Sequence, residues 1–159
     1  MSETARQFMH YSDTIAGTEA SAYITINGRN ELLFYAKKLD SKAKKTKKTG
    51  KTLGNRAQQN KAAGWEGTGT LTVYYATSIF REMMIDYMNT GKDVYCDITV
   101  TNEDATSSIG KQTVTLKRCN FDEVSMAMFD LEAEALDEDM SFTFEGVELL
   151  DKFGKPVLV

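Results

Sequence analysis

Thr49-Gly50-Lys51-Thr52 carries the closing letters of a phosphate-binding loop, in which backbone amides and a lysine hold an anion. That loop also needs a glycine five residues before Gly50, where Lys45 stands, with a buried strand ahead of it and a helix behind. Neither element is legible, so a solvated loop is the better reading. Asp130, Glu132 and Glu134 are spaced two apart, which on a strand puts three carboxylates on one face, a row that could bind a cation or pair an acid with a base. Ligand sets usually converge from several elements, and this row has no partner. It reads as a solvated acidic face, or as the wall of a water-filled channel in an assembly, where negative charge repels a phosphate backbone and lets DNA pass. His10 is the only histidine, and Cys96 and Cys119 are far apart. A histidine triad, a two-histidine metal site, a four-ligand zinc site and a disulfide framework all lack their residues. No catalytic, cofactor-binding or metal-binding residue is nominated, and the chain reads as a non-enzyme without a cofactor.

The remaining chemistry is charge. Lys42, Lys44, Lys45, Lys47, Lys48 and Lys51 could neutralise nucleic-acid phosphates, with strongly salt-dependent binding. They have no interleaved aromatics to stack bases and no reading helix, so a nucleic-acid-binding module is only the alternative. From Lys37 to Lys61 there are nine Lys and one Arg against Asp40, a net +9. The whole chain is −4, so everything else carries −13, and residues 120–151 hold eleven acids and no base. Opposite patches on one molecule can join copies head to tail, the heterologous contact that makes rings or open stacks. The basic segment is therefore read as docking on an acidic protein surface, with self-assembly as the leading hypothesis.

The 159 residues fit one domain, and 42% apolar with 26% charged residues is an ordinary soluble composition. No apolar run approaches the ~20 residues that cross a bilayer, and the first ten residues lack the pattern of a secretory signal. Folding in the cytosol without membrane binding is expected.

These charges must be positioned by a mainly β chain. Residues 1–20 read as an arm that orders only on contact. Ser21–Ile26 is a strand, Asn27-Gly28 its tight turn and Glu31–Leu39 the return. Asp40–Ala63 is a long loop or a hairpin extended into solvent, the basic segment 40–63. Trp65–Tyr75 is a strand, and Gly64, Gly67 and Gly69 point to a bulge or a close crossing. Ile79, Phe80, Met83, Met84, Tyr87 and Met88 recur at helical spacing, with Thr77 or Ser78 as cap and Gly91 as stop. Strands are also predicted at Asp93–Thr101, Lys111–Asn120, Val124–Leu136 and Met140–Leu149, with Asp137-Glu138-Asp139 as a turn. Within Val124–Leu136, Ala127, Phe129, Leu131, Ala133 and Ala135 are expected to face a core. Met83, Met84 and Met88 with Met126 and Met128 read as adaptable packing in a core or subunit interface. The architecture expected is an antiparallel β-sandwich or partly closed barrel of about seven strands with one flanking helix.

The order of arm, Lys-rich segment (Ala36-Lys37-Lys38-Leu39 through Gln58-Gln59-Asn60-Lys61), Trp65–Tyr75 strand, Ile79–Met88 helix and acidic terminal strands resembles the tail-tube proteins of contractile-tailed bacteriophages and related phage-tail-like particles, including defective prophages and R-type bacteriocins of Gram-positive bacteria. The resemblance implies a structural subunit whose homo-hexameric rings stack into a hollow tube, with sheath, baseplate and tail-terminator proteins as partners and DNA as non-specific cargo. It places Lys42 to Lys51 in an inter-ring loop, and Arg6, Phe8 and Tyr11 in an inter-subunit arm. Asp130, Glu132 and Glu134 become candidate lumen residues. It implies assembly in the bacterial cytoplasm and a final place in a tail or tail-like particle.

Overall fold

Asn27 and Gly28 both take positive φ, 52° and 79°, the pairing that matches the twist of a two-residue hairpin. In the computed structural model, which describes residues 7–33 and 35–158, they fold β1 (Ala20–Ile26) onto β2 (Arg29–Leu32), with Ile26 opposite Arg29. The single return strand expected over 31–39 is broken. Leu33 is buried and its N–H donates to Ala22 O at 2.8 Å, which ends the β1 pairing, and Ala36 begins a new one. From there β3 (Ala36–Gly50) runs antiparallel to β4 (Gln59–Tyr74). The one α-helix among the described residues, α1 (Ile79–Thr90), stops at Gly91, whose φ of 73° lets its N–H return to Tyr87 O. Then come β5 (Cys96–Glu103), β6 (Lys111–Phe121), β7 (Asp137–Phe144) and β8 (Gly146–Asp151).

All pairings are antiparallel, in the order β2-β1-β5-β6-β7-β4-β3, with β8 also on β6. The sheet is mainly β architecture with one helix, as expected, but it stays open and does not close into a barrel. β6 joins its two halves. Lys117 and Arg118 stand opposite the single Asp97, a bulge in which Arg118 takes φ 52° and donates its N–H to Asp97 Oδ1 at 3.1 Å. Before the bulge β6 pairs with β5 and β8; after it, Asn120 and Phe121 pair with β7. One core then draws on both halves: Ile24, Ile98 and Leu116 from the first, Leu71, Met140 and Phe142 from the second, and Phe80 from α1.

Gly67 and Gly69 do mark a close approach. The Phe144 and Phe142 rings lie where their Cβ atoms would be, so only glycine lets β7 pack this tightly on β4.

The strand expected at Val124–Leu136 does not form, and 122–136 is irregular. Its alanines and acids are weak strand formers, and the segment pairs with no strand of the sheet. Phe129 is 86% exposed and Leu131 95%, so that alternating face is not core. Asp137-Glu138-Asp139 is the opening of β7, paired with Tyr74, Val73 and Thr72, and not a turn. The strand expected over 140–149 is split at Glu145, whose N–H donates to Lys117 O as the chain crosses between halves.

Candidate assembly surfaces

β4 has a second partner, β7, only over Gly67–Tyr74. Past Ala43 and Gly67 the β3–β4 hairpin continues as a ribbon of two strands, exposed at every residue from 42 to 66. The seven residues Lys44–Gly50, at about 3.3 Å each, carry its tip roughly 23 Å outward. An isolated two-stranded ribbon is marginal in water, which makes this one a surface awaiting support. Between 42 and 65 it holds eight bases and no acid. Lys42, Lys44, Lys45, Lys47 and Lys48 lie on β3 and Lys51 begins the turn, so strand alternation divides the lysines between both faces. Lys42 lies 3.8 Å from Asp40; Lys44, Lys45, Lys47, Lys48 and Lys51 make no ion pair among the described residues. Gly50-Lys51-Thr52 sits at the tip, with β4 and no helix following, which is not the geometry of a phosphate-binding loop.

The acids lie elsewhere. Asp130, Glu132 and Glu134 are exposed on the irregular loop, with Glu132 N–H donating to Asp130 Oδ1 at 3.0 Å. No strand aligns them on one face. Beside this loop, α1 and the end of β6 enclose an open groove of about 260 Å³ lined by Phe80, Met83, Met84, Tyr87 and Val124, with Asp93 and Asp122 also on its wall. The methionines the sequence reading singled out therefore divide: Met83 packs against the core, Met84 faces the groove, and Met88 and Met126 are exposed.

The arm residue Arg6 lies outside the described residues. Phe8 and Tyr11 are 56% and 91% exposed, while the stretch behind them is fastened to its own domain. Asp13 is buried; its carboxylate accepts from Ser108 N–H at 2.5 Å and Ser108 Oγ–H at 2.6 Å, and these bonds hold its pKa below the usual aspartate value. Ala16 N–H donates to Asp104 Oδ2 at 3.0 Å, which together with Thr106 N–H lowers that carboxyl too. The C-terminal tail reaches the same place, with Gly154 N–H on Ile109 O and a bridge between Met9 and Leu158. Nothing in the sequence spacing links residues so distant.

Two buried features also escaped sequence reasoning. Arg81 of α1 pairs with Glu138 of β7 at 2.6 Å, stacks over the Tyr75 ring, and donates to Thr77 O. Cys96 and Cys119 are register partners across β5 and β6, and both are free and buried. Burial pushes both thiols up, that of Cys119 to about 12.

Three sheet edges are uncovered in the described structure: β3, which pairs only with β4 and carries the ribbon, and the two ends of the other half. β2 is paired only with β1, and β8 only with β6. β8 exposes Val147, Leu149 and Leu150, while β2 is mostly polar and exposes Leu32 alone among its apolar side chains. Among the described residues no three His, Cys, Asp or Glu side chains gather where they could hold a metal. An open sheet with unpaired edges and a cationic ribbon defines a structural subunit, a part shaped to be joined to others.

The chain belongs to the family described as phage tail tube proteins, which it matches over residues 7–151. It is 34% identical over 140 residues to the phage-like element PBSX protein XkdM of Bacillus subtilis (strain 168), covering 88% of this chain and 92% of that protein. Its fold is similar to a chain in the anti-feeding prophage baseplate (TM-score 0.61, 10% identity, 83% of this chain and 92% of that one). It is also similar to a chain in the extended sheath–tube complex of an extracellular contractile injection system (TM-score 0.57, 11% identity, 86% and 88%). The protein is a structural tail-tube subunit of a phage-tail-like particle.

Proposed function

We propose that copies of this chain close into six-membered rings and that the rings stack into a hollow tube. The observation that carries the stacking is the ribbon, eight bases on an unsupported two-stranded projection in a chain whose remainder is strongly acidic. Docked against a neighbour's acids, it gains the contacts its own domain withholds, and the direction of stacking is set by sign. Lys42, Lys44, Lys45, Lys47, Lys48 and Lys51 form that inter-ring contact. Ring closure is supported by the bare edges of β2 and β8. When β8 of one copy pairs with β2 of the next, the half-sheet β2-β1-β5-β6-β8 becomes continuous around the ring and neither of its own edges remains.

Phe8 and Tyr11, presented on an arm that Asp13 fastens at its base, extend the contact to a neighbour. The exposed carboxylates of Asp130, Glu132 and Glu134 supply negative charge to the channel, which DNA passes as non-specific cargo. A sheath surrounds the tube, a baseplate starts it and a terminator ends it, with assembly in the bacterial cytoplasm. The lysines as a nucleic-acid site draw no support, because the one aromatic in register with them, Trp65 opposite Lys45, lies against Phe144.

Negative-stain electron microscopy of the concentrated protein tests this reading. Rings or filaments of uniform diameter with a central hole are expected; a strict monomer at millimolar concentration refutes it.

A further inference from the structure

The ribbon ends on an apolar side chain. Leu53 lies in the turn between Lys51 and Arg56, where Asn55 N–H donates to Thr52 O at 3.3 Å, and it is fully exposed. None of the described residues covers it. A leucine held at the far end of a cationic projection costs solubility and adds nothing to the fold, so its use lies in what it meets.

The groove beside α1 is the complementary feature. It is concave and open, and its lining includes Met83 and Met84, side chains that re-pack around an incoming group. Its only charged lining residues are Asp93 and Asp122. Apolar floor and negative wall match an apolar anchor flanked by two bases.

We propose that the ribbon tip, residues 51–56, docks in this groove on a second copy of the chain. Leu53 seats among the methionines, and Lys51 and Arg56 meet the carboxylates of Asp93 and Asp122. Apolar burial holds the tip, and the flanking charges select its orientation. This rests on the stacking reading above and names the surface that receives the ribbon.

Cysteine cross-linking tests it, because Cys96 and Cys119 are buried and leave introduced thiols as the reactive ones. Leu53→Cys combined with Met84→Cys, oxidised mildly under assembly conditions, is expected to give a ladder of covalent oligomers. The yield should be at least tenfold above that of Leu53→Cys with Tyr11→Cys, which places the second thiol on the arm. Lys51→Glu should abolish the ladder, and adding Asp122→Lys should restore it; both positions are exposed, so folding is not at stake. Hollow tubes without the Leu53–Met84 link, or with an equal Leu53–Tyr11 link, overturn the groove and leave the tube standing. The link without rings or tubes supports the groove and overturns stacking. Neither link nor tube overturns both.

Discussion

Arg81 Nη1 lies 2.6 Å from Glu138 Oε2, and the Glu138 side chain is wholly buried. The pair fastens α1 to the strand that bridges β6 and β4, and the second carboxylate oxygen, Oε1, has no hydrogen-bond partner among the described residues. Removing the cation leaves a carboxylate stranded in the interior. Arg81→Met should therefore lose about 3–5 kcal/mol of stability, the usual cost of breaking a buried pair. In a chain of this size that is roughly 10 °C in Tm. Arg81→Met with Glu138→Leu should recover most of the loss, because no buried charge then remains. Thermal unfolding followed by circular dichroism distinguishes the two.

Reversing the ribbon's sign should separate folding from assembly. With Lys44, Lys45, Lys47 and Lys48 all changed to Glu, the monomer should keep its spectrum and Tm, since none of these side chains contributes to the core. Filaments should be lost. Wild-type filaments should also shorten as salt is raised, because exposed charges are screened within about 8 Å at 0.15 M. Elongation at the wild-type rate by the reversed variant would show that the lysines serve another purpose.

The arm's anchor should be acid-labile. Asp13 and Asp104 both titrate below the ordinary aspartate value of 3.8, because each accepts hydrogen bonds that favour its charged form. A depressed carboxyl contributes stability that is complete above the ordinary value and disappears as pH falls through the depressed one. Amide exchange at Ala16 and Ser108 should stay protected from neutral pH down to about 4 and open below it. Protection that vanished already at pH 6 would contradict this anchoring.

Cys96 and Cys119 should react with iodoacetamide at pH 8 only in denaturant. Burial keeps both thiols protonated far above that pH and out of reach. Rapid labelling of the native chain, read by mass spectrometry, would mean that β5 and β6 open locally.

Gly69→Ala should destabilise although alanine is small. A Cβ there would come within 2.5 Å of the Phe142 ring and 2.9 Å of Asp40 O, so ring and backbone must both shift. A loss of about 1–3 kcal/mol is expected, in the range of overpacked cores. Denaturant midpoints measure it. Gly17→Ala, with open space around the added methyl, is the control.

Elements written into short segments were legible. The Asn27-Gly28 turn needs only two residues able to take positive φ, and α1 announces itself by apolar spacing and by Gly91. The ribbon was half legible. Its bases were plain, but a hairpin and a loop look alike when neither has an apolar face, and only register with β4 separates them. The loop at 122–136 misled because alternation is necessary for a strand and not sufficient. Phe129 and Leu131 obey the period but pair with no strand and stay exposed. Glu138 misled in the opposite sense: three consecutive acids suit a turn, and nothing local tells that the middle one meets Arg81, 57 residues away.

What the sequence alone determined was composition, charge polarity, the all-antiparallel character and the likeness to tail tubes. Each depends on residues close together in the chain, or on the whole chain at once. The tertiary structure decided which strands share an edge, where β6 bends from one half to the other, which acids are buried and which apolar side chains stay bare. Those outcomes depend on partners dozens of residues apart, whose meeting is set by competition among edges and faces and leaves no local trace.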